Sequence, residues 1–243
     1  MKLRLIAPEA GSLELADLGA LRRRIATASW VAPSFLLNIV ADSNGNFVGS
    51  TGSSRDITTE VDYQALVGYR EAADGILTSA GTARSEAYRR SRLAPLAIAS
   101  RSANFDDIPA VEDAAAGPTD SLVYLLVTSR QVRNTRKRYT QPWVRVVSTG
   151  LGRPFGVTFR ITRLGWRRVV VEAGPEYARW LIRNSVIRYL ALSVVGVQPQ
   201  NAAEAGSASY AALKNLGIRE AALYHAEFAD QTLLTLWSEF RVV

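Results

Sequence analysis

The chain has no cysteine and a single histidine among its 243 residues. Without cysteine there can be no disulfide, no thiolate zinc site and no thiol nucleophile. One histidine likewise rules out a His-rich metal centre, so no metal is expected. That histidine, His225, falls in a C-terminal alternating stretch and reads as a solvated or edge residue. Lysine is scarce too: it stands only at positions 2, 137 and 214, so the formal charge of +7 is carried almost wholly by arginine. Arginine grips phosphate through two parallel N–H bonds, which lysine cannot do. Such a balance attracts phosphorylated cofactors and sugar phosphates as readily as nucleic acid. The densest basic run, RQVRNTRKRY from Arg130 to Tyr139, has no interleaved aromatic before Tyr139 and reads as a solvated basic loop or helix, which argues against a nucleic-acid partner. Long apolar runs are missing as well, and MKLRLIAPEAG holds no secretory apolar core ahead of Pro8 and Glu9. No membrane partner and a cytoplasmic address are therefore expected.

What is present is ordinary globular material: with 48% hydrophobic residues, the length supports one large domain or two small ones with a full core. The stretch Asn38 to Glu86 organises the rest. An apolar strand over Phe35–Ala41 runs into the tight-turn sequence Asp42-Ser43-Asn44-Gly45 and then a loop rich in Gly and Ser, from Gly49 to Asp56. Thr59 caps a helix over Glu60–Ala73 whose buried stripe is Ala65, Leu66, Tyr69 and Ala72 or Ala73. Arg70 lies in its last turn, where a cation suits the helix dipole. A buried strand, Gly75–Thr78, then delivers Ser79-Ala80-Gly81-Thr82 to the sheet edge. Strand ends and helix N-termini present free backbone groups there, so a ligand crevice belongs at this edge.

Upstream, Leu13, Leu15, Leu18 and Leu21 followed by Arg22-Arg23-Arg24 suggest an amphipathic helix, giving an N-terminal helical arm over 1–34 and a main domain over 35–243. Downstream, further strands are expected at Pro95–Ala99, Leu122–Val127, Trp143–Val147, Arg168–Glu172 and Ile187–Val197, with helices from Pro154 and Pro175. Ser100-Arg101-Ser102 at one strand end would cradle a monophosphate. Glu172, at another strand end facing a helix start, is either a turn acceptor or a functional carboxylate. NAAEAGSASYAAL (201–213) reads as a mobile loop or lid. Ala222–Phe228 and Leu233–Val243 alternate and close the chain as an antiparallel hairpin.

Taken together, NIVADSNGNF, GSTGSS, YREAADGILTSAGTARSEAY, PLAIASRS and VVVEAGP occur in the order found in the bacterial pyrimidine reductases of riboflavin biosynthesis, and from Asn38 onward the chain resembles that family. The resemblance implies a dihydrofolate-reductase-like α/β fold, with a mostly parallel sheet flanked by helices and an antiparallel C-terminal hairpin. It also implies NADPH as cofactor, a pyrimidine ribose phosphate as substrate and a homodimer. By the same resemblance Val40, Ala41, Gly81, Thr82 and Glu86 contact the cofactor. Ser100 lies near the 2′-phosphate that selects NADPH, and Gly174, Pro175 and Glu176 form the loop approaching the diphosphate. To the 2′-phosphate site physical reasoning adds Arg101. Ser54 and Arg70 would hold the ribose phosphate, Glu172 the pyrimidine amino and ring N–H groups, and Asn38 and Asp42 complete the substrate end.

The reaction so implied is hydride transfer to a ribosylamino carbon, with Glu172 and Glu86 as catalytic carboxylates and Glu86, Glu172, Asp42 or a bound water as proton source. Departures from the pattern are Asn44 in place of the usual aspartate, Asn38 where lysine is frequent, and Glu86-Ala87-Tyr88 where Asp-Asp-Pro is common. The arginine expected after that motif has no single counterpart among Arg89, Arg90 and Arg92. The zinc deaminase of the two-domain enzymes is absent. Two rivals stand beside this reading: a reductase of another heterocycle such as a pterin, and a non-catalytic NADPH- or RNA-binding module on the same fold.

Overall fold

The computed structural model describes residues 2–7, 11–14, 16–27, 31–118 and 120–242. The short apolar runs, buried on both faces where the strands are parallel, pair into one eleven-stranded sheet of order β2-β1-β10-β11-β9-β3-β8-β4-β5-β6-β7. Its parallel part comprises β3 (Ser34–Asp42), β4 (Gly75–Ser79), β5 (Leu96–Ala99), β6 (Val123–Val127), β7 (Val144–Ser148), β8 (Arg168–Val171) and β9 (Tyr189–Val195). The C-terminal hairpin of β10 (Ile218–Ala229) and β11 (Thr232–Val242) joins β9 antiparallel, turning at Asp230-Gln231 with both residues at positive φ. This is the expected mostly parallel sheet with an antiparallel close.

Because successive strand residues face opposite sides, neighbouring residues feed two different cores. Leu37, Leu77, Val169 and Val171 pack with α6 (Pro154–Arg163), α7 (Pro175–Arg183) and α8 (Ala202–Asn215). Leu36, Ile76, Ile98 and Val170 pack with α3 (Ala80–Ser85), α4 (Pro109–Glu112) and α5 (Val132–Arg138). The basic run is thus a short helix, as one of its two expected forms allowed. α1 (Leu18–Thr27) and α2 (Glu60–Ala72) form a smaller cluster through Leu21, Ile25, Val61 and Ala65. Two glycines are dictated by packing: a Cβ on Gly75 would lie 2.2 Å from the Trp166 ring, and Gly45, at φ +81°, has the Ala211 carbonyl carbon 2.6 Å from where a Cβ would stand.

Two expectations need correction. Segment 201–213 is no loop or lid but most of α8: Asn201 Oδ1 accepts from Glu204 N (3.0 Å), Glu204 Oε1 accepts from Asn201 Nδ2 (2.9 Å), and Ala205, Ser209, Ala212 and Leu213 are buried at helical spacing. Alanine is the strongest helix former, and low complexity hid a capped amphipathic helix. In the N-terminal segment, helix begins only at Leu18; Leu13 lies in β2 (Gly11–Glu14), which pairs with β1 (Lys2–Ala7), and β1 extends the sheet beside β10. Leu15 lies outside the described residues. His225 donates from Nε2 to Glu227 (2.7 Å), a buried carboxylate that also accepts from Arg24 Nε (2.8 Å) and Nη2 (2.6 Å), so it belongs to a structural ion cluster.

Candidate active-site crevice

Chain order and sheet order diverge at β8, which inserts between β3 and β4 although it follows β4 by some ninety residues. Such a reversal opens a crevice at the carboxyl ends of the strands. Here β3 outruns β8: Leu37 pairs with Val171, the last residue of β8, while Asn38 to Asp42 pair only with β9. The unpaired flank of β3 therefore presents the backbone edge of Asn38 to Ala41 as one wall. Glu172, Ala173 and Gly174 leave β8 across its floor.

The opposite wall is the β4–α3 junction. Ser79 caps α3, its Oγ accepting from Thr82 N (3.2 Å), and Thr82 Oγ1 accepts from Gly174 N (2.9 Å), tying α3 to the loop that opens α7. Gly81 leaves open room, since only Ser79 Oγ lies within 4 Å of where its Cβ would stand; at Gly174 a Cβ would meet Thr82 Oγ1 at 3.3 Å. Pro175 and Glu176 begin α7, whose cap residue Gly174 supplies no side-chain bond to the first-turn N–H groups. Next along the edge, Ser100 Oγ is 3.3 Å from Ser102 Oγ. Arg101, 96% exposed, reaches Glu176 at 3.4 Å across the crevice mouth.

The residues expected at the substrate end are engaged with one another. Arg70 donates from Nε (2.7 Å) and Nη2 (2.6 Å) to the two oxygens of Glu172, and Tyr88 Oη donates to Glu172 Oε2 (2.6 Å). Burial works against the Arg70 charge, but Glu172 outweighs it and raises its pKa further. Burial first, then the Glu172 charge, push the Tyr88 hydroxyl well above its ordinary value, so it stays a donor. Glu86 turns toward the serine loop, accepting from Ser54 N (2.9 Å) and Ser53 Oγ (2.8 Å), and Arg55 Nη2 donates to its carbonyl. Asp42 folds back on its own turn, accepting from Asn44 N, Asn46 N and Asn46 Nδ2 at 2.8 Å each. Its slight burial raises the pKa, but these bonds outweigh it and hold the carboxyl below the usual range.

Three residues have roles that the sequence did not disclose. Tyr88 stood out only as a departure from a pattern, although a tyrosine two residues after Glu86 is in fact the third partner of Glu172. Asp62, in the first turn of α2, is 4% exposed with an Oδ1 that finds no hydrogen-bond partner. Burial raises its pKa, and the nearby Ser193 and Thr58 hydroxyls offset this only in part. Its three-residue spacing from Thr59 signalled the cap but not the burial of its carboxyl. Arg90 is a buried pin, donating to the carbonyls of Pro118 (3.1 Å), Asp113 (2.9 Å), Ala114 (2.6 Å) and Gly117 (3.0 Å). The guanidinium lies 4.3 Å from the Trp143 ring. Among the described residues, no group of three or more acidic or histidine side chains could hold a metal ion, and no helix is long and apolar enough to cross a membrane.

No family model matches the chain, and no curated protein matches it. Solved structures do. A pyrimidine reductase-like protein from Corynebacterium diphtheriae superposes with a TM-score of 0.63 at 16% identity, over 86% of this chain and 92% of the other. The diaminohydroxyphosphoribosylaminopyrimidine deaminase/5-amino-6-(5-phosphoribosylamino)uracil reductase of Thermotoga maritima gives 0.63 at 12% identity, over 85% of this chain but only 56% of that longer one. The riboflavin biosynthesis reductase of Saccharomyces cerevisiae gives 0.53 at 12% identity, over 92% and 97% of the two chains. At such identities the likeness establishes architecture: this chain has the dihydrofolate-reductase-like α/β fold, with its crevice where β3 outruns β8.

Proposed function

We propose that the chain is an NADPH-dependent reductase that transfers hydride to a polarised C=N bond of a nitrogen heterocycle or of its ribosylamine. The observation that carries this reading is the crevice itself: one wall of bare β3 backbone, a floor of small residues and an exposed arginine at the mouth. The dinucleotide fits this shape. Gly81 and Gly174 let backbone approach a diphosphate, and a Gly174 Cβ would crowd Thr82 Oγ1 at 3.3 Å, so a side chain there would narrow the cradle. The uncapped N–H groups at the start of α7 suit the same anion. Arg101, with Ser100 and Ser102, offers a guanidinium and two hydroxyls to a 2′-phosphate.

Bound there, the nicotinamide would supply the hydride. The chain's own part is orientation and exclusion: the backbone edge of β3 at Val40 and Ala41, beyond the end of β8, faces a flat ring, and the Thr82–Gly174 hydrogen bond keeps the two sides of the cradle in register. Glu172, with its oxygens held by Arg70 and Tyr88, gives the floor a fixed acceptor at which ring N–H groups can align.

A pyrimidine ribose phosphate is the substrate the sequence resemblance suggests. A pterin-like heterocycle is the second reading, favoured by the engagement of Arg70 with Glu172. The test is a fluorescence titration with NADPH and with NADH, repeated for Arg101→Ala. NADPH should bind at least about tenfold tighter than NADH, and the variant should lose that preference while keeping NADH affinity. Failure to bind either cofactor sinks the reductase reading.

A further inference from the structure

We propose that the substrate end of this crevice selects an uncharged molecule, because the chain's own carboxylates already occupy the donors an anionic substrate would need. The inference rests on the reductase reading and concerns the half of the site that the cofactor does not fill.

The serine loop is the natural anion trap of this end, with a backbone N–H and hydroxyls turned inward. Carboxylates take four of its donors: Ser54 N and Ser53 Oγ reach separate oxygens of Glu86, at 2.9 and 2.8 Å, and Thr51 N and Oγ1 both reach Asp56 Oδ2, at 2.7 Å each. Glu86 is only 13% exposed and also has Arg55 Nε 3.7 Å away. On the other side of the same segment Arg70 is closed on Glu172, the two being 23% and 5% exposed, and Tyr88 completes the acceptor. Glu86 and Tyr88 are two residues apart, so one short turn after α3 locks both cations and the loop. Two arginines thus meet two carboxylates, Arg55 with Glu86 and Arg70 with Glu172.

A phosphate entering here would have to evict Glu86 from the loop and then lie beside the freed carboxylate. Like charges set side by side in a partly buried site disfavour binding by an order of magnitude or more. At the other end of the crevice the ion pair is exposed and loose. Arg101 has a single 3.4 Å contact, to a Glu176 that is itself 86% exposed, and stands ready for an anion. The net charge of +7 therefore does not translate into phosphate recognition at the substrate end. An uncharged ring or an unphosphorylated sugar conjugate loses nothing to these carboxylates, and its N–H and O–H donors can reach their remaining lone pairs.

The test uses the full chain saturated with NADPH and titrated with ribose 5-phosphate, in wild type, Ser54→Ala and Glu86→Gln, with melting curves confirming that each variant folds. Expected is equal affinity, within about twofold, for wild type and Ser54→Ala, and a gain of at least about tenfold in Glu86→Gln, where the loop donors face a neutral amide. A wild-type affinity that falls tenfold in Ser54→Ala would overturn the proposal, since the loop would then already bind phosphate. A folded Glu86→Gln with no gain would overturn it too, because Glu86 would not be what excludes the anion; should that variant melt early, Glu86→Ala reads the same contrast. NADPH fluorescence on the same samples keeps the two claims apart. If the cofactor does not bind, the reductase reading fails, whereas the phosphate titration without cofactor still reports on the loop.

Discussion

Replacing Glu172 by glutamine is the sharpest perturbation available. The wild-type carboxylate is 5% exposed and accepts two hydrogen bonds from Arg70 and one from Tyr88, all between 2.6 and 2.7 Å. Glutamine keeps the shape but offers only one oxygen, and it turns an NH₂ toward donors that need an acceptor. More costly is the charge: Arg70 stays protonated and is left without its counter-ion. Removing one partner of a buried pair costs about 3–5 kcal/mol. Arg70 keeps 23% exposure, so some water reaches it and the lower end, about 3 kcal/mol, is the expected loss. For a chain of this size each kcal/mol moves the melting temperature by roughly 2–4 °C, giving a drop of about 6–12 °C by calorimetry. NADPH affinity should change little, because the cradle at Gly81, Thr82 and Gly174 is built without Glu172, whereas turnover should fall. Removing both charges with Arg70→Met and Glu172→Leu should recover most of the stability, since no ion is then left buried. A Glu172→Gln protein within 1 kcal/mol of wild type, or a double variant as damaged as the sum of the singles, would refute the coupling.

Asp62 makes a prediction of opposite sign. Burial raises its pKa above the ordinary 3.8, so its favourable contribution is complete below that value and is lost as pH rises through the native one. Asp62→Asn should therefore be close to neutral at pH 4 and stabilising at pH 7, as read from melting temperatures at the two pH values. An equal shift at both would discard the idea. For Arg90, which donates to four carbonyls and lies over Trp143, Arg90→Lys should cost about 3 kcal/mol or more, because an ammonium can neither span the four acceptors nor stack. Urea unfolding checks this, and a loss below 1 kcal/mol would mean that water replaces those bonds at little cost.

Much of this fold was legible from local pattern. The apolar runs at Phe35–Ala41, Gly75–Thr78 and Arg168–Glu172, the Thr59 cap and the Pro175 helix start all express short-range rules, and each element lies within a residue or two of its expected bounds. Helix α8 escaped because alanine, serine and glycine carry little hydrophobic contrast. Its burial depends on the shallow face that α8 presents to β10 and on Gly45, whose missing Cβ admits Ala211 and Ala212. The strands β1 and β2 escaped for a related reason: their role is to extend the sheet beside β10, a partner some two hundred residues away.

Amino-acid order alone therefore determined the chemical inventory: no thiol, one imidazole, arginine as the cation, small residues at the strand ends and the short continuous apolar runs that make a parallel sheet. Which carboxylate meets which cation was decided only by tertiary structure. Glu172 and Arg70 are 102 residues apart, Glu172 and Tyr88 84, and Ser54 and Glu86 32. Nothing local distinguishes an arginine that waits for a substrate from one that is already paired. Pairing depends on where the sheet brings distant strand ends and on how deeply each charge is buried, because a charge removed from water must find its partner within the fold.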